Sequence, residues 1–299
     1  KEKILKFEGA FHGMHDYAMM SFLPSGKSPF PKPEASSAGI PRVIQETVLI
    51  APFNDVGLTS EIIERHRDEL AAVIIEPVQR IIPPVPGFLE TVRELTSRYE
   101  IPLIFDEVVT GFRLAYGGAQ EYFDVTPDMA AIGKVLGGGF PLNAVVGNKE
   151  MMSAYDSSQV LKEDHVPQIG TLNGNPVAAA AGIATLHELK TPGAYDYLRD
   201  TGAYLRETLQ RLLDEAEIPA VVSGIDPVFD VYFTDHPVFD YRSTLDSNKS
   251  MNKIFDDSLQ ENGVFKSPGK FYVGMCHSSE DVEKTVDAFK GAIAKLRSI

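Results

Sequence analysis

PLIFDEVVTGFRLAYGGAQEYFDVTPDMAAIGKVLGGGF, residues 102–140, holds two short apolar runs that each stop at a charge of opposite sign. The first, ending at Phe105, leads into Asp106 and Glu107; the second, Met129–Ile132, leads through Gly133 into Lys134. An apolar run of this length that ends at a charge, with glycine beyond, reads as a buried parallel strand presenting a side chain at its C-terminal end. In open α/β sheets ligands sit at that end. One strand delivering an acid and another delivering a lysine predict a site for something held between the two.

Outward from this stretch the same pattern repeats. Lys3–Phe7, residues 47–51 and Leu70–Ile75 read as further short strands, the last ending at Glu76. Between them the spacing of Ile62, Ile63, His66 and Leu70 predicts a helix over 60–69, and Phe88, Leu89, Val92, Leu95 and Tyr99 mark an amphipathic one. Residues 144–146 return as a strand, 21–42 form a Pro-rich loop and 153–168 a polar one. Asn175-Pro176 opens a helix rich in small residues, with Gly182 inside for close packing. Strands alternating with helices predict an α/β fold: a mostly parallel sheet with helices on both faces. From residue 191 the pattern changes to a leucine stripe (Leu198, Leu205, Leu209, Leu212, Leu213), short strands and a final helix capped by Ser278. The expected division is a large domain over 1–190 and a smaller α+β domain over 191–299.

Bulk composition narrows the partners. The 299 residues, 43% hydrophobic and 23% charged, suit a soluble globular chain that buries a real core. A net charge of −14 without a basic stripe argues against nucleic acid. Cys276 is the single cysteine, so no intrachain disulfide forms. No run approaches the roughly 18 apolar residues of a membrane helix, and the opening KEKILKF has no signal-peptide core, so the cytoplasm is the expected location.

Lysine condenses with aldehydes when partly neutral, and burial among apolar neighbours favours that form. Lys134 follows four apolar residues and a glycine, and burial is expected for it. Asp106 in a similar setting needs a cationic partner. A protonated pyridine nitrogen would meet that need and keep such a ring electron-withdrawing. A plain buried ion pair between Asp106 and Lys134 fits the two residues equally well. His12, His15 and Asp16 have metal-ligand spacing but no third convincing ligand beyond the histidines, and no metal is expected.

Four segments in order, FEGAFHGMHDY, LIFDEVVTGFRLAYGGAQEYFDVTPD, AIGKVLGGGFP and GTLNGNPVAAAAG, resemble the class III pyridoxal-phosphate aminotransferases. Within that family they look most like the glutamate-1-semialdehyde 2,1-aminomutase branch. The resemblance spans nearly the whole chain, loosening after about residue 220. It implies the fold type I large domain of pyridoxal-phosphate enzymes, a small C-terminal domain, and pyridoxal 5'-phosphate as cofactor. By the same resemblance Lys134 would carry the Schiff base and shuttle the proton. Asp106 would pair with the pyridine nitrogen, with Phe11 on one ring face, His12 beside it and Val108 on the other face. Thr171 would reach the phosphate of a neighbouring subunit, which implies a homodimer with the site at the subunit interface. Glu76 would hold the substrate or order the Asp106 region. Small amino acids or amino-aldehydes are the implied substrates.

Departures from the family pattern sharpen the reading. No Ser/Thr-Gly-rich phosphate turn matches upstream of Lys3–Phe7, and the chain is expected to lack about the first third of the family's length. Val109 stands where many ω-amino-group enzymes have Gln, as in the aminomutase branch, whereas SPGKFYVGMCHS and EPVQRIIPPVPGFL differ from that branch's wording. The expected activity is intermolecular amino transfer, with the intramolecular aminomutase reaction second and a non-catalytic homologue third. LIFDE also resembles a Walker B strand, but Gly133-Lys134 lacks the preceding glycine and following Ser/Thr of a P-loop.

Overall fold

Each apolar run between residues 3 and 132 becomes a strand of one sheet, in a computed structural model that describes residues 1–298. The chain divides into two compact units: residues 1–77 with 86–191, and residues 78–85 with 192 onward.

In the first unit the elements run β1 (Lys3–Phe7), α1 (Arg42–Glu46), β2 (Val48–Ala51), α2 (Val56–His66), β3 (Leu70–Ile75), α3 (Phe88–Arg98) and β4 (Leu103–Glu107). Then follow α4 (Gly118–Phe123), β5 (Met129–Ile132), a 3-10 turn (Lys134–Gly137), β6 (Ala144–Gly147), α5 (Lys149–Ser153) and α6 (Pro176–Leu189). The sheet order is β2-β1-β3-β4-β5-β6. Every neighbouring pair is parallel except β5 with β6. Parallel strands require crossovers, and α2 and α3 supply them between β2, β3 and β4. Phe7, Phe53 and Phe88, all buried, meet edge-on at centroid distances of 5.0–6.1 Å and anchor this packing.

The helix expected over 60–69 starts earlier, at Val56. Asp55 caps it by accepting from the Leu58 N–H, and the apolar period hides this start because Val56 and Leu58 are not buried. Three short helices, α1, α4 and α5, escape the sequence reading because none is long enough to show a period. The start of α6 is as expected: Asn175 Oδ1 accepts from the Val177 and Ala178 N–H groups, and Pro176 occupies the first turn. A Cβ on Gly182 would lie 2.8 Å from the Leu136 carbonyl oxygen, so this glycine lets α6 press on the turn that carries Lys134.

The second unit comprises α7 (Ala194–Glu215), β7 (Val221–Ile225), β8 (Val228–Tyr232), α8 (Lys249–Glu261), β9 (Phe271–Tyr272) and α9 (Ser279–Arg297). Its three strands form an antiparallel sheet in the order β7-β8-β9. Leu198, Leu205, Leu209 and Leu213 are buried along α7. Ser278 and Asp281 cap α9 reciprocally. Residues 78–85, expected in the large domain, group with this unit instead. The Ser223 hydroxyl donates to the Ile81 carbonyl at 2.9 Å, and the Arg80 guanidinium lies 5.9 Å from the Tyr241 ring centroid. No described helix is long and apolar enough to cross a membrane.

Candidate active site

Alternation along β4 sends its two acids to opposite faces. Leu103, Phe105 and Glu107 are buried on one face, while Ile104 and Asp106 occupy the other. Asp106 is paired in register with Ala131 of β5, and two residues beyond β5 the chain reaches Lys134. A cavity of about 380 Å³ opens there, lined by Val108, Ala131, Gly133, Lys134, Phe140 and Asn143 among others. This volume falls within the range of small-molecule sites.

Lys134 is exposed at this cavity rather than buried among apolar residues as expected. The apolar residues of β5 precede it along the chain instead of surrounding it, because the strand has ended and a 3-10 turn has begun. Its backbone is left-handed, with φ of +45°, which a non-glycine residue adopts at a cost of about 1 kcal/mol or more. The turn is held by α6: Gly138, with φ of +55°, approaches Thr185 so closely that a Cβ would collide with its Oγ1. Gly137 and Gly138 face this chain's own Leu142 and Thr185.

Asp106 does not pair with Lys134. Its Oδ2 accepts from His12 Nδ1 at 2.8 Å and its Oδ1 from the Val108 N–H at 3.1 Å. The His12 side chain is 4% exposed, and its second nitrogen, Nε2, is buried without a hydrogen-bond partner. The simple ion-pair alternative therefore fails among the described residues. What remains is a carboxylate on one strand and an amine beyond the next, with Val108 bridging from the first to the cavity. That donor set fits a flat, cationic heterocycle bearing an aldehyde.

The other expected site residues are distributed differently. Phe11 adjoins His12, but its half-exposed ring packs on Phe22 at 4.9 Å between centroids and does not line the cavity. Glu76 follows β3, 8% exposed, next to the strand that carries Asp106, and it too lies off the cavity lining. Thr171 is exposed within the stretch between α5 and α6. Of the set, Val108 and Lys134 line the cavity, Asp106 is bonded to His12 and to the Val108 N–H, and Phe11, Glu76 and Thr171 have no place in the cavity lining.

Two buried charged residues near these strands escaped the sequence reading. Glu107, fully buried, accepts from Thr110 Oγ1, the Ala119 and Gln120 N–H groups and Gln120 Nε2. It thereby anchors the loop 110–120, and Gly118, with φ of +73°, leaves no room for a Cβ beside that carboxylate. Lys6 on β1 is also wholly buried. The signal for Glu107 was present: in LIFDE, strand alternation already assigns the two acids to different faces. Nothing local marks Lys6, which sits in an ordinary strand pattern.

Comparison with known proteins adds an independent line. A family model described as aminotransferase class-III matches residues 1–293. The glutamate-1-semialdehyde 2,1-aminomutase of Pelotomaculum thermopropionicum is 41% identical over 98% of this chain and 68% of its own length. That of Methanocaldococcus jannaschii is 40% identical over 99% of this chain and 69% of its own. Among solved structures, an omega-transaminase from Sphaerobacter thermophilus superposes with a TM-score of 0.92 at 38% identity, covering 99% of this chain and 69% of that one. A β-phenylalanine aminotransferase from Variovorax paradoxus gives 0.85 at 27% identity, covering 98% of this chain and 64% of that one.

Proposed function

Because the chain belongs to the class III aminotransferases, whose cofactor is pyridoxal phosphate, we infer that it moves an amino group between two small molecules, with Lys134 as the reacting amine. The observation that carries this is the convergence at one sheet edge. Lys134 and Val108 share a cavity, and Asp106 stands beside them without an ion pair to Lys134. The cofactor supplies an aldehyde that accepts an amino group and a ring that withdraws electrons.

The chain's own residues would do the rest. The Lys134 amine would hold the cofactor through its aldehyde and would carry a proton on Nζ during transfer. Asp106, which accepts from His12 and the Val108 N–H, would face a positive charge on the ring nitrogen. By the family resemblance Val108, which lines the cavity, would face one side of the ring and Phe11 the other. His12 orients Asp106. Glu76, a buried carboxylate at the neighbouring strand end, orders the Asp106 region or holds the substrate.

A homodimer and a cytoplasmic location belong to the same proposal. The dimer is supported by exposed apolar side chains on α6, Val177 and Ile183. In such a dimer the exposed Thr171 would reach the phosphate in the partner's site. The 38% identity with an omega-transaminase of closely matching fold supports transfer between two molecules. The curated aminomutase relatives favour, as a second reading, transfer within one amino-aldehyde. Supplying glutamate-1-semialdehyde alone, and separately an amino donor with an α-keto acid, separates them. Turnover that requires the acceptor supports the first reading, and turnover without any acceptor overturns it.

A further inference from the structure

Lys6 is a lysine in the middle of a buried strand, and none of the chemistry above uses it. Its side chain is 0% exposed. A buried ammonium is costly unless its three donors are matched. Here Nζ donates to the carbonyl oxygens of Ala10 at 3.0 Å, Ala18 at 2.7 Å and Met20 at 2.6 Å. These carbonyls belong to the loop that follows β1, and they bracket Phe11 and His12.

That loop contains no helix; its two ends are joined by the Gly9 N–H to Ser21 carbonyl bond at 2.8 Å, and its far end by a bridge between Met20 and Ala35. Within it, Ala10 bonds back to Phe7, and Met19 and Met20 bond back to His15 and Tyr17. Yet one of its side chains, His12, must arrive at Asp106 with a 2.8 Å contact. The ammonium adds to that backbone closure a fastening inside the loop, on carbonyls that lie on both sides of His12.

We propose that Lys6 is a positioning residue for the cofactor site: it fixes the loop over residues 10–20 and so sets the His12–Asp106 contact. Resting on the reading of the site given above, it acts through His12.

The test compares the full chain with Lys6→Met, which keeps the side chain's length to Cε and removes the donors. In cofactor-free protein, hydrogen exchange over residues 10–20 is expected to accelerate about tenfold or more, while β3 and β4 keep their protection. The ¹⁵N signals of the His12 ring are expected to lose the signature of Nδ1–H bonded to a carboxylate. With pyridoxal phosphate added, the variant is expected to bind it at least about tenfold more weakly than the parent. A uniform rise in exchange with an unchanged His12 signal would mean Lys6 only stabilises the fold, and the proposal fails. Should Lys6→Met not fold, Lys6→Gln takes its place, retaining two donors and a folded chain. In addition, the parent's Lys6 ammonium must give a slowly exchanging ¹H–¹⁵N signal, and its absence overturns the proposal. If neither protein binds pyridoxal phosphate, the functional reading falls, while the exchange and histidine measurements still decide the role of Lys6.

Discussion

Replacing Glu107 with Ala isolates the contribution of one buried carboxylate to the loop that borders the site. Four hydrogen bonds end on it: Thr110 Oγ1 at 2.9 Å, Gln120 Nε2 at 2.9 Å, the Ala119 N–H at 2.5 Å and a long one from the Gln120 N–H at 3.4 Å. Thr110 and Ala119 are buried, so their donors lose a partner that water does not readily replace. Each such orphan costs about 1–3 kcal/mol. Gln120 is partly buried and recovers some solvent contact. Relief of the carboxylate's own desolvation offsets part of the loss, which leaves a net cost of about 3 kcal/mol. Hydrogen exchange of the native protein reads this locally. Peptides covering residues 110–120 are expected to exchange about a hundredfold faster. Those covering α8, in the other unit, serve as an internal control and should not change. Glu107→Gln, with one acceptor left, should fall between the two. An acceleration of less than about threefold in Glu107→Ala would show that the carboxylate does not hold the loop.

Gly138→Ala places a Cβ at positive φ against Thr185 Oγ1, and is expected to destabilise the Lys134 turn by about 2–4 kcal/mol in urea unfolding. Adding Thr185→Ala should recover the steric share but leave about 1 kcal/mol of backbone strain, and no recovery would exclude the collision as the cause. Asn175→Ala, which removes the cap that accepts from Val177 and Ala178, should cost about 1 kcal/mol by the same measurement. Burial pushes the Asp230 carboxyl from 3.8 up to about 6, against the pull of the Lys266 ammonium at 2.9 Å. Because the folded value is the higher one, the folded form gains stability by holding that proton. The gain is full below about pH 4 and disappears as pH rises through about 6. From pH 5 to 7 the parent should therefore lose about 1 kcal/mol more than Asp230→Asn, and equal losses would refute the burial argument.

Much of the site was legible because strand ends announce themselves. LIFDE and MAAIGK each place a charge where an apolar run stops, and the parallel register follows from the helices between them. The α6 cap and the tight glycine contact were readable too, since Asn-Pro and a glycine among alanines have specific steric meanings. What escaped depends on distance in sequence. Asp106 finds His12 94 residues away, and no local pattern encodes that pairing. The burial expected for Lys134 failed because hydrophobic neighbours in sequence extend along a strand, whereas enclosure is made by elements that come from elsewhere. Residues 78–85 misled for the same reason: IIPPVP reads as a turn between two elements of one unit, but its partners Ser223 and Tyr241 lie far along the chain.

The account depends on one amine. Incubating the full chain with pyridoxal phosphate, reducing with borohydride, and mapping the modified peptide by mass spectrometry asks directly which lysine took the aldehyde. The pyridoxyl group is expected on the peptide that contains Lys134, and on no peptide at comparable yield in Lys134→Ala. Stable labelling at a different lysine, or none in the parent chain, would contradict it.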